Sequence, residues 1–76
     1  MVTATEAVAE VIRDSMERAD ESVKHLAEVT FIPRTTLLRR LAGTSPFTIP
    51  ELERVAAVLD TSVAQILADA DAARVA

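Results

Sequence analysis

The chain has 76 residues, half of them apolar, a formal net charge of −4, no cysteine and a single histidine, His25. This excludes a disulfide framework, a thiolate metal site and a histidine cluster, so neither a metal nor any other cofactor is expected. No apolar run approaches the roughly 18 residues that span a bilayer, and residues 1–9 lack the basic start and apolar block of a signal peptide. A soluble, cytoplasmic chain is expected.

The length suits one small domain over residues 1–76, with fraying over about the last five. Its first predicted helix runs from Ala4 to Ala19. Thr3 and Glu6 have the spacing of a capping box, and Val8, Val11, Ile12, Met16 and Ala19 recur at three- and four-residue steps. Asp20-Glu21 forms the break. A short second helix opens at Ser22, a favourable N-cap, with Leu26, Ala27 and Val29 inward. It ends near Thr30, because Pro33 disfavours helical geometry just before it.

The third helix begins at Pro33, which is tolerated in a first turn, and runs to Leu41. Gly43, the sole glycine, is placed to cap its end. Thr44 to Phe47 form a loop. A fourth helix follows Thr48, with Pro50 in its first turn, a capping box to Glu51, and an inward stripe of Leu52, Val55, Ala56 and Leu59. Asp60-Thr61 breaks it. Ser62 and Gln65 have the spacing of a third box, opening a fifth helix with Val63, Ile66, Leu67 and Ala70 inward. Five short helices and no strand make the fold class all-α. Phe31 and Phe47 are expected to plug the core, and His25 to sit on the surface.

Charge is segregated along this frame. Residues 1–21 carry six acids and two bases, residues 22–48 one acid and four bases, and residues 49–76 five acids and two bases. The basic middle can meet a phosphate backbone despite the acidic total. Its second and third helices are joined by only Thr30-Phe31-Ile32, and such a link suits helices meeting near a right angle. Ala27 lets them cross closely.

On the third helix Leu37 and Leu41 lie about 40° apart and mark the buried side. Arg39 then points about 180° away, Thr35 about 140° and Thr36 about 120°, with Leu38 and Arg40 flanking at about 80°. Arg34 stands at the tip. Arginine pairs bidentately with guanine, and threonine methyls or leucine touch thymine methyls. Lys24 and Arg40 are candidate phosphate partners on charge alone. Arg34 has an alternative partner in Glu28.

The stretch "SVKHLAEVTFIPRTTLLRRLAG" resembles the helix-turn-helix of the lambda repressor and Cro-like family. The following "PFTIPELERVAAVLDTSVAQIL" resembles that family's fourth and fifth helices. The resemblance covers about residues 6–68. It implies a compact five-helix, lambda-repressor-like DNA-binding domain with its helix-turn-helix at about residues 22–42. It also implies a transcriptional regulator in the bacterial cytoplasm, on the nucleoid: a repressor of phage immunity or Cro-like type, with operator or promoter DNA as partner. The positions matching base contacts are Arg34, Thr35, Arg39 and Leu38. Those matching phosphate contacts are Ser22, Thr36, Thr44 and Ser45. Such proteins read palindromes as dimers, so a homodimer, or a further domain in a longer chain, is implied.

Two positions depart from the family pattern. Phe31 stands at the turn position usually held by glycine in left-handed geometry, and Val23 stands where relatives carry a polar residue. Phe31 leaves open whether the turn is remodelled.

Other function classes find little footing. No nucleophile elbow or glycine-rich phosphate loop is present, so no enzyme is expected. Asp14-Ser15-Met16 approximates a carrier-protein modification site but lies inside the first helix. The rival reading is a protein-interaction module on the same fold, antitoxin-like or an adaptor, without DNA binding. The cluster of Arg34, Arg39 and Arg40 argues against it.

Overall fold

The computed structural model describes residues 2–75, and helix is the only regular structure among them. The five helices are α1 (Ala4–Arg18), α2 (Val23–Thr30), α3 (Arg34–Leu41), α4 (Ile49–Val58) and α5 (Val63–Val75). Each boundary has a local cause. Thr3, Ser22, Thr48 and Ser62 accept the backbone N–H three residues on, from Glu6, His25, Glu51 and Gln65. Such a cap stabilises a helix by about 1 kcal/mol. The boxes at Thr3 and Thr48 are closed by the returning glutamates. The third is half formed, because the Gln65 amide reaches forward to Asp69 at 2.8 Å instead. Pro33 precedes α3 as its N-cap residue, without a side-chain cap.

Three helix ends turn through left-handed residues: Asp20 after α1, Gly43 after α3 and Asp60 after α4. At each, the following residue donates its N–H five positions back: Glu21 to Met16, Thr44 to Arg39 and Thr61 to Ala56. This satisfies carbonyls that a helix C-terminus leaves open. Glycine is required at Gly43 on two counts. Its φ is +79°, and a Cβ there would stand 3.4 Å from the backbone of Glu6. The α2–α3 turn also keeps left-handed geometry, with φ 60° and ψ 23° at Phe31. The bulky side chain has therefore not remodelled it.

α1 packs along α5 and against α3, α2 packs against α3 and α4, and α4 packs against α5. Between them lies one core of Ile12, Met16, Leu26, Ile32, Leu37, Leu41, Leu52, Val55, Ala56 and Ile66, with Phe47 packed against it. The radius of gyration is 11.3 Å, matching the ~11 Å of a compact chain of this length.

Several expectations need correction. Phe31 is no core plug: it is 85% exposed, since a left-handed residue at a tight turn points its side chain away from the packed helices. Val29 and Leu67 face outward, and Thr30 is buried in the place expected of Val29. The Thr30 hydroxyl donates to the Leu26 carbonyl at 2.6 Å, so its burial leaves no unpaired polar atom. Ala19 is exposed, and α1 buries Ala7 and Ala9 instead. Of the tail from Asp71 to Ala76, where fraying is expected, residues 71–75 belong to α5 and Ala76 lies outside the described residues.

Candidate nucleic-acid interface

α3 is short, so its orientation depends on what holds its two sides. Leu37 and Leu41 are buried beneath it. At its C-terminus the Arg13 guanidinium of α1 donates to the Leu41 carbonyl. The Thr44 hydroxyl and backbone N–H both donate to the Arg39 carbonyl, at 3.0 and 3.3 Å. At its N-terminal end the chain is anchored by Thr30 and Ile32, buried on either side of Phe31.

On the outer face Arg34, Thr35 and Arg39 are exposed, with Leu38 half-exposed beside them and Thr36 half-buried. The structure thus brings Thr35 and Arg39 together on the exposed face with Arg34 at the tip, whereas Thr36, also expected to point outward, is half-buried. Arg34 does not pair with Glu28, and neither Arg34 nor Arg39 forms an ion pair among the described residues. Their guanidinium donors remain open to a ligand. Lys24 and Ser22 lie exposed at the start of α2. The Ser22 oxygen accepts from the His25 backbone N–H at 3.0 Å, which leaves its hydroxyl proton able to donate. His25 is on the surface, as expected, paired with Glu21 one turn earlier.

Arg40 differs from its neighbours. It is largely withdrawn from solvent and donates to both carboxylate oxygens of Glu51, at 3.1 and 3.4 Å, and to the Ser45 hydroxyl at 2.8 Å. One of those carboxylate oxygens also accepts the Thr48 backbone N–H at 2.9 Å, closing the α4 capping box. Arg40 and Ser45, expected at phosphate, are engaged with one another and with Glu51 here. They tie the end of α3 to the start of α4 because Glu51, eleven residues on, offers Arg40 a fixed bidentate partner. The ties from Arg13 and Arg40 were missed in the sequence, where a long-range partner leaves no periodic signal.

Burial pushes the Glu51 carboxyl up, but its hydrogen bonds from Arg40 and from the Thr48 backbone, with the Arg40 charge, outweigh that effect. They hold it below its ordinary 4.5. A carboxyl lowered by folding stabilises above its unfolded pKa, and that contribution is lost as pH falls through the folded value. The melting temperature should therefore fall below about pH 4.5. Glu51→Gln should melt lower at neutral pH and show a shallower acid limb, read by circular dichroism at several pH values. An unchanged limb contradicts the role given to Glu51. Glu6 adds a contribution of the same sign, through its bonds to the Thr3 backbone and side chain.

Leu38 opens onto a groove of about 460 Å³ between α1, the start of α2 and α3. Met16, Val23 and Leu41 line it together with the charged Arg13, Glu17 and Glu21. A second apolar hollow of about 180 Å³ includes Phe47, Ile49 and Leu67.

No protein-family model matches the chain, and no curated protein matches its sequence. Among solved structures, the fold is similar to that of the clp gene regulator ClgR from Corynebacterium glutamicum. The TM-score is 0.88, at 22% identity, over 93% of this chain and 76% of that one. The likeness establishes the five-helix fold.

Proposed function

We propose that the chain is a sequence-specific double-stranded DNA-binding protein and a transcriptional regulator, a repressor of phage-immunity or Cro-like type. The observation that carries this reading is the outer face of α3. Arg34, Thr35 and Arg39 are exposed together there, on a helix secured at both ends and beneath. In the proposed pose α3 enters the major groove and α2 lies across the backbone. Arg34 and Arg39 pair with guanine edges, while the Thr35 and Leu38 side chains meet thymine methyls. Ser22, Lys24 and Thr36 hold phosphates, while Thr44, whose hydroxyl and N–H both go to the Arg39 carbonyl, secures the end of α3. Arg40 and Ser45 position α3. The similarity to a protein described as a gene regulator lends the reading support. Residues 1–76 would act as one DNA-binding unit in the cytoplasm, as a homodimer or joined to a further domain.

One observation favours a second reading, a protein-interaction module on this fold. The apolar groove beside Leu38 is lined by Glu17 and Glu21 against a single arginine, Arg13, an acidic excess that suits a basic partner better than phosphate. DNA binding decides between the two. Fluorescence anisotropy against duplexes from the chain's own promoter region, with scrambled duplexes as competitors at low salt, should show preferential binding. Equal binding to both sets, or none, contradicts the DNA reading. Lys24→Ala should weaken all duplexes alike and reduce the slope of log affinity against log salt by about one. An unchanged slope removes Lys24 from the phosphate set.

A further inference from the structure

Phe31 combines two unfavourable features. Its ring is 85% exposed, and its backbone sits at φ 60° and ψ 23°, a region costly for a residue with a bulky side chain. Asp20 and Asp60 adopt the same geometry, but a short polar side chain tolerates it through local hydrogen bonds. Phenylalanine has no such compensation. Backbone strain of this kind persists where the surroundings over-determine it, and it gathers at functional positions. Here Thr30 and Ile32 are buried on either side, 0% and 2% exposed, so the turn cannot relax and the ring is fixed outward.

The ring is also well placed. Arg34, the first residue of α3, follows three positions later, at most about 11 Å along the chain. Pro33, Arg34 and Thr35 continue the exposed surface from the turn onto the helix face. An aromatic ring at the mouth of a reading helix is matched by the thymine C5-methyl group, the one apolar feature of the major-groove edge. We propose that Phe31 is a further DNA contact, an apolar one, seated on a thymine methyl beside the bases read by Arg34 and Thr35. This rests on the DNA reading above. A neutral ring displaces no counterions, so its contribution is independent of salt.

Phe31→Gly and Phe31→Asn test it, since both residues accept left-handed geometry and keep the turn. The probe is a duplex enriched from a random pool by the parent chain, with each thymine in turn replaced by deoxyuridine. Both variants should melt no lower than the parent and bind the duplex about fourfold or more weakly, with an unchanged salt slope. At one thymine, removal of the methyl should weaken the parent about fourfold and leave the variants unaffected. Variants that bind as tightly as the parent overturn the proposal and leave the DNA reading standing. So does a methyl effect equal in parent and variants. A parent that enriches no sequence overturns both.

Discussion

Leu37→Ala should destabilise the chain by about 2–5 kcal/mol, the largest stability loss expected of a substitution on α3. Leu37 is 0% exposed and belongs to the core shared by all five helices. Truncation removes buried methyl groups and leaves a cavity that fixed neighbours cannot fill. The chain has little reserve, since 76 residues correspond to about 4–11 kcal/mol of total stability. Urea unfolding read by circular dichroism measures the loss. Binding to any duplex should weaken together with folding, because α3 is held from beneath by Leu37 and Leu41. A loss below about 1 kcal/mol would mean that the site collapses onto the cavity and that α3 does not depend on this contact.

Arg39→Ala should do the reverse. Its side chain makes no ion pair among the described residues and stands on the exposed face. Stability should therefore change by no more than about 0.5 kcal/mol. Affinity for the preferred duplex should fall by about 1–3 kcal/mol, roughly 5- to 150-fold, with preference relaxed at one base pair. Titrations against the preferred duplex and its single-base variants give both numbers. Uniform weakening across all variants would make Arg39 a phosphate contact. No weakening would remove it from the interface. Together, the two substitutions separate what holds α3 from what α3 presents.

Much of this arrangement is legible in the sequence because it is local. Threonine followed three residues later by glutamate marks the starts of α1 and α4, Ser22 that of α2 and Ser62 that of α5. Gly43 and Pro33 bracket α3. A turn of 100° per residue suffices to bury Leu37 and Leu41 and to turn Thr35 and Arg39 outward, and Arg34 stays exposed because it is the first residue of the helix.

The features that escape such reasoning depend on neighbours distant in the chain. Val29 and Leu67 are apolar and adjacent to buried positions, and only the placement of the other helices turns them out. Ala7 and Ala9 are too small to signal burial, yet α1 buries both. Arg40 looks like any surface arginine until Glu51 is folded against it, and Arg13 meets the Leu41 carbonyl across 28 residues. Phe31 misleads for another reason. Hydrophobic bulk argues for the core, but a left-handed turn between two buried neighbours forces the ring into solvent.

Selection of bound duplexes from a random pool, with the parent and with Arg39→Ala, shows whether the outer face of α3 reads DNA sequence. The parent should enrich a defined preferred sequence, and the variant the same sequence with one position relaxed. A parent pool that stays random at low salt would contradict that role of α3.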